Sequence, residues 1–355
     1  MLGMGKVKKY AFINAKLRAR KSKILKDDVF DNMAKAKSLP EAIRLLHNTH
    51  FQKIEEVYVR TGDLKLAELE LYKKEISLYY EIEKHISGDV LEFVRGLTRK
   101  YEVENLKAAL RLWFDRTIRK RNIAAYTPYL YREKIHYDLH VDQIINVENI
   151  ESIAVILEKT PYAKIIKENS SSAENLFSIE LALDKYFYQQ LYEKAIKLSK
   201  ADFAIVKRII GIEVDVENIS WFIRSRDFYK MTLDQCVSNI IPYGYYIDRK
   251  MLEQVSDSET PVELVKDFIR RKFPFLPPLL ITQNLNTQQS KLLLLGRFFD
   301  QIIIHGVRKI KVGNPFTIGI LMAYFVLKKN EISKVMTILN AKCYDIDETR
   351  IKSVI

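Results

Sequence analysis

Two pairs of histidines offer the first chemistry in this chain. His136 and His140 stand four residues apart, and His47 and His50 stand three apart. On a helix either spacing turns two imidazoles toward one metal ion. Neither pair brings the HExxH glutamate or the cysteine partner of a zinc site, and Tyr137, Asp138 and Asp142 make the first pair read as a polar hairpin. A metal-dependent hydrolase built on His136 and His140 is therefore a distant reading. "GMGK" at 3–6 is too short for a phosphate loop, and no GxGxxG or GxSxG pattern occurs. Cys236 and Cys343 are isolated, so neither a disulfide framework nor a thiolate metal site is indicated. The expectation is no catalytic residue, no cofactor and no metal.

What recurs instead is Asn paired with Arg. "VENLKAALRLW" at 103–113 and "VENISWFIRSR" at 216–226 share V-E-N-(L/I), with Arg111 six residues after Asn105 and Arg224 six after Asn218. "NAKLRAR" at 14–20 repeats the spacing with Asn14 and Arg20. Six residues is about 120° around a helix, so the two side chains do not converge on one ligand. The expected jobs are separate: Asn bonding the backbone of a neighbouring loop, Arg linking units through a carboxylate. A third V-E-N at Val147-Glu148-Asn149 falls outside this register.

The elements that carry these residues also repeat. "LPEAIRLLHNTHF" ends at Phe51, "IESIAVILEKTPY" at Tyr162 and "TPVELVKDFIRRKF" at Phe273, each 111 residues after the last. Each predicts a short helix with an acid near its start, which suits the dipole, and a terminal aromatic that packs on the core. Leu69, Tyr72, Ile76 and Tyr79 predict an amphipathic helix over 64–85; Leu181, Tyr188, Leu191 and Ala195 predict another over 174–200. Ser87-Gly88 ends the first, and Asp89 suits the cap of a helix running through Asn105 to about Arg119. With 48% hydrophobic residues but only 11 Gly and 9 Pro, the chain is neither disordered nor a β-sandwich. Three helical units follow: 1–100, 101–212 and 213–355. The first is short, and the tail "NEISKVMTILNAKCYDIDETRIKSVI", read as helix, Asp-rich turn and helix, is placed to complete it.

The longest apolar stretch, 312–327, falls short of the roughly 20 residues that span a bilayer and predicts a buried core helix. The isolated cysteines fit a reducing, cytoplasmic compartment, and the N-terminal residues lack the apolar core of a secretory signal. A net charge of +13 asks for an anionic neighbour: nucleic acid, a membrane surface or an acidic protein. Lys16 and Arg18, with Arg119, Lys120 and Arg121, are the candidate contacts for a partner or membrane surface. The basic residues of the first helix are spread around it, and no RNA or DNA module frames them. A basic nucleic-acid-binding scaffold is thus the alternative reading, and no nucleic acid is expected.

"NPFTIGILMAYFVLKKNEISKVMTILNAKCYDID", 314–347, resembles a hallmark of the central-stalk subunit of V-type and archaeal-type ATPases, called C in bacteria and archaea and d in eukaryotes. That pattern is a Pro, an apolar helix with a Tyr, a Lys/Glu-rich break and an E-x-x-N-(I/L)-R-like phrase. Pro315, Tyr324, Lys328, Lys329, Glu331 and Ile332 match it; Lys334 stands where Asn is commoner, and Thr337 departs. "YAFINAKLRAR" and both V-E-N-(L/I) phrases also look like the family, so the resemblance spans essentially the whole chain. It implies an all-α, funnel-shaped protein of three pseudo-repeated units in pseudo-threefold arrangement. It implies a non-catalytic rotor component, a socket between the central shaft subunits and the membrane ring of proteolipid subunits. In that role it would couple ATP hydrolysis to H+ or Na+ movement from the cytoplasmic side of the membrane, as a peripheral member of the complex and not as a homo-oligomer.

Overall fold

The computed structural model describes residues 4–170, 176–227, 229–257, 267, 270–271, 273–274, 300–307, 316–352 and 355. Among these the only regular elements are helices, so the all-α expectation is met. Contacts gather the chain into two compact units, one of residues 1–45 with 195–355 and one of residues 46–194.

The 46–194 unit contains α4 (Gln52–Thr61), α5 (Leu64–Glu83), α6 (Gly88–Thr117), α7 (Val141–Ile144), α8 (Ile150–Ile156), α9 (Tyr162–Asn169) and α10 (Phe177–Ala195). Helices α4 and α5 pack as a tight pair. Gly62 makes their turn at φ 68, a left-handed conformation that costs glycine little, and its N–H closes α4 on Tyr58 O at 2.7 Å. Asp63 then caps α5 by accepting from Lys65 N and Leu66 N. On α5, Ile76 and Tyr79 are buried as expected; Leu69 and Tyr72 are half-buried, and Ala67, Leu71 and Ile82 fill the core face. Ser87 is the N-cap residue of α6, and Asp89 sits in its first turn, where a carboxylate still favours the dipole. At 30 residues α6 is about 45 Å long and forms the spine of this unit. The predicted stripe Leu181, Tyr188, Leu191 and Ala195 of α10 is buried throughout.

The other unit contains α1 (Met4–Lys21), α2 (Asp27–Lys35), α3 (Leu39–Arg44), α11 (Lys200–Asp227), α12 (Leu233–Ser238), α13 (Arg249–Asp257), α14 (Gly319–Cys343) and α15 (Glu348–Lys352). Its spine is α14, which packs against α1, α2, α3, α11 and α15. Leu321, Met322, Ala323, Tyr324 and Phe325 are all buried there, so the described part of the 312–327 stretch is core. Among the described residues no helix is long and apolar enough to cross a membrane. Asp202, near the start of α11, gathers three elements: it accepts from Tyr10 Oη at 3.0 Å, Ser199 Oγ at 2.8 Å and Ile318 N at 2.8 Å. Phe51, Tyr162 and Phe273, the aromatics spaced by 111, are buried in turn. The helix expected over 260–273 lies largely outside the described residues.

Candidate functional site

On α6 the residue that matters most stands one helical turn before Asn105. Glu102 is 0% exposed, and its Oε2 accepts the backbone N–H groups of His136 and Tyr137, both at 2.7 Å. Its Oε1 accepts from Tyr162 Oη at 2.6 Å. Asn105 grips the same loop a few residues earlier: Nδ2 donates to Tyr131 O at 2.7 Å and Oδ1 accepts from Tyr131 N at 3.1 Å. Residues three apart share a helix face, so acid and amide act on one strip of loop. Loop 130–140 has no helix or sheet of its own to satisfy its backbone, and these side chains do so.

The same joint recurs on α11. Asn218 Nδ2 donates to Ile241 O at 2.9 Å, and its Oδ1 accepts from Ile241 N at 2.7 Å. Asp215, again three residues before and 0% exposed, accepts from Tyr245 N at 3.0 Å, Tyr246 N at 2.8 Å and Ile247 N at 3.1 Å. The loop sits so close that a Cβ on Gly244 would lie 2.5 Å from Asp215 Oδ1, and one on Gly211 would lie 2.7 Å from Tyr245 Cβ. Burial pushes the Asp215 carboxyl up to about 7, against the pull of its three N–H donors.

A third long helix carries an altered version. On α14, Glu331 is 1% exposed and accepts the N–H of Leu25 at 2.7 Å, with Lys328 Nζ 2.6 Å from its other oxygen. Three residues on stands Lys334 in place of Asn. Its ammonium lies 3.5 Å from Asp27 Oδ1 and 5.1 Å from the centre of the Phe30 ring, so it reaches α2 by charge where Asn would reach loop backbone. Asn14 is buried on α1, but Ala11 stands three residues before it and offers no acid. Sequence spacing had drawn attention to the Asn and Arg positions and missed Glu102 and Asp215; Glu331 had been singled out only as part of the E-x-x-N-like phrase of the family resemblance. The signal was present: each is an acid at i−3 from the Asn or its Lys replacement.

The arginines act separately from the joints. Arg111 makes a two-point pair with Glu180 of α10, Nε to Oε1 at 2.5 Å and Nη2 to Oε2 at 3.0 Å. Arg224 is exposed and lies 5.5 Å from the Trp221 ring. Arg20 is half-buried on α1, as is Lys16, while Arg18 is exposed. Arg119 and Arg121 share Asp115, at 3.0 and 3.5 Å, with exposed Lys120 between them. The V-E-N at 147–149 does other work: Asn149 caps α8 by accepting from Ser152 N, and Val147 O accepts from Trp113 Nε1.

His136, His140 and His47 each have a protein partner. His136 Nε2 lies 2.8 Å from Thr98 Oγ1, His140 Nδ1 lies 3.4 Å from Asp138, and His47 Nδ1 lies 2.7 Å from Glu55. Among the described residues no group of three His, Cys, Asp or Glu is placed to hold a metal. Burial, then the charges of Arg99 and Lys194, push His136 down from 6.5 to about 4. The unfolded chain therefore takes up a proton that the folded chain refuses, and stability falls as pH drops from 6.5 toward 4. The loss is about 3 kcal/mol at pH 4. His136→Gln should flatten this part of the profile in melts between about pH 7 and about pH 4.5; parallel profiles would refute the assignment.

Residues 13–354 match the family described as ATP synthase (C/AC39) subunit. The chain belongs to that family. It is part of an A/V-type rotary ATP synthase. Among its relatives, the C subunit of the A-type ATP synthase of Methanocaldococcus jannaschii is 22% identical over 98% of this chain and 86% of its own length. That of Methanosphaera stadtmanae is 23% identical over 94% and 84%, and that of Archaeoglobus fulgidus 22% over 99% and 97%. In this member of the C/AC39 family the repeated chemistry holds loops to helices, and every buried carboxylate of the joints is spent on protein donors.

Proposed function

We propose that the chain is the non-catalytic socket of the rotor, linking the central shaft subunits to the membrane ring of proteolipid subunits. It would sit on the cytoplasmic side as a peripheral member of the complex and pass torque between ATP hydrolysis and H+ or Na+ movement. The observation that carries this reading is the buried joint, an acid and its i+3 partner on each of α6, α11 and α14. A coupling that transmits torque must not let its loops yield, and a loop pinned by a buried, multiply bonded carboxylate opens only at high cost. The joint positions, 113 and then 116 residues apart, support a body of three pseudo-repeated units, 1–100, 101–212 and 213–355, arranged as a pseudo-threefold funnel.

The test is removal and re-addition in the assembled complex. Without the chain, ATP hydrolysis should continue while ion transport per ATP is lost, and purified chain should restore coupling but hydrolyse no ATP alone. In a pull-down it should retain both the shaft subunits and the ring. Transport that stays coupled without it, or a chain that binds neither partner, would defeat the proposal.

A further inference from the structure

Beside the first joint, on the 46–194 unit, lies a groove of about 270 Å3. Leu69, Tyr72, Ala108, Tyr129 and Tyr131 line it, together with Lys65. The tyrosine hydroxyls are already spent: Tyr72 donates to Tyr101 O, Tyr129 to Asp63 Oδ2 and Tyr131 to Glu133. Of the two acids on the lining, Glu104 is paired with Lys107 at 2.7 Å, and Glu68 stands three residues from the cationic Lys65 on the same helix. What the groove offers a visitor is mainly aromatic and aliphatic surface. Its volume is below that of usual small-molecule pockets and suits one large side chain.

The surroundings extend the surface in two directions. Ala124, Ala125, Tyr126 and Pro128 form an exposed apolar knuckle, with the Lys65 ammonium 5.4 Å from the Tyr126 ring and 5.3 Å from the Tyr129 ring. Along α6, Ala108 and Asp115 are seven residues apart and share a face, so the groove leads in about 10 Å to Asp115. There Arg119 and Arg121 draw on that single carboxylate, and Lys120 stands exposed between them. Three cations against one acid leave a net positive end on an otherwise apolar track.

We propose that this track docks an acidic amphipathic segment of another protein of the complex. One large apolar side chain enters the groove, and carboxylates about two helical turns away meet Arg119, Lys120 and Arg121. The inference rests on the assembly role proposed above, which supplies protein partners. Concavity and aromatic lining favour a side chain over a flat lipid surface, and the cations choose an acidic segment over a basic one.

Full-length chain, titrated separately against purified shaft subunits and purified proteolipid ring, tests it. Ala108→Trp fills the groove; the double substitution Lys120→Glu, Arg121→Glu reverses the charged end from an exposed position and keeps the test sound if the first variant folds poorly. Each should weaken binding to one of the two probes by about tenfold or more and leave the other unchanged. Salt should weaken the wild type more than the charge-reversed variant. Wild-type binding with both variants within about twofold of it would overturn this inference and leave the socket reading standing. Loss confined to anionic phospholipid vesicles or single-stranded RNA would overturn it in favour of those partners. A wild type that binds neither protein probe would remove both proposals.

Discussion

Glu102→Ala is expected to destabilise the 46–194 unit by about 3–5 kcal/mol. The carboxylate is fully buried and takes three hydrogen bonds, from His136 N, Tyr137 N and Tyr162 Oη. Truncation leaves the buried Tyr162 hydroxyl and the part-buried N–H groups of His136 and Tyr137 without this acceptor, at up to about 1–3 kcal/mol each, and water entering the vacated space recovers part of that. Glu102→Gln is the informative companion. It keeps the shape but turns one acceptor into an NH2 facing a donor, so its loss should fall between those of wild type and Ala. The surface pair Lys53–Glu56 gives the contrast: Glu56→Ala should change stability by less than about 0.5 kcal/mol. The chain has two tryptophans, Trp113 on α6 and Trp221 on α11. In a Trp221→Phe background, Trp113 fluorescence in urea follows the 46–194 unit alone. A Glu102→Ala loss under about 1 kcal/mol would show that the joint is not what holds the loop.

How much of this was legible beforehand depends on which physical rule each residue obeys. Helix spacing located α5 and α10 closely, because apolar residues at three- and four-residue steps have few other outcomes. The recurrence of the Asn contact on α6 and α11 was legible for a similar reason, since an interval of 113 keeps side-chain type as well as position. The joint was harder. In "YEVEN" and "VDVEN" two acids precede the Asn, and the V-E-N phrase draws the eye to Glu104 and Glu217. Helix geometry favours the other acid, Glu102 or Asp215, because i−3 shares the Asn face while i−1 points about 100° away. The loop that each acid holds is about 30 residues downstream and has no periodicity, so nothing in the sequence marks its N–H groups as the partners. On α14 the family resemblance had marked Glu331 and the Lys334 replacement, but a lysine three residues after a glutamate is ordinary on any helix surface, so spacing alone did not reveal a third joint there.

Lys107→Met should prove as costly as Glu102→Ala, but for a different reason and with a different cure. The Lys107 ammonium lies 2.8 Å from Asp184 and 2.7 Å from Glu104, and the side chains of Lys107 and Asp184 are 6% and 7% exposed. Burial pulls the lysine pKa down, yet the charges of Asp184 and Glu104 outweigh it and hold the group above its ordinary value. Methionine keeps the volume and removes the charge, which takes away the cation that faces buried Asp184 between α6 and α10. The expected loss is about 3–5 kcal/mol. Removing both charges, as Lys107→Met with Asp184→Leu, should recover stability to within about 1 kcal/mol of wild type. The coupling in that double-mutant cycle separates this from simple misfit: additive losses would mean that packing, not the ion pair, is at stake. If the pair adds little net stability, its value lies in register. Lys107 meets Asp184 while Arg111, one turn later, meets Glu180, one turn earlier, so the two contacts lock α6 and α10 antiparallel at one offset. The doubly substituted protein, folded but without the inner contact, should show broadened near-ultraviolet circular dichroism or several slowly exchanging NMR states of α10. A single sharp state would assign the pair to stability alone. In the socket role proposed above, one fixed offset would serve torque transmission better than an extra kilocalorie of apolar packing.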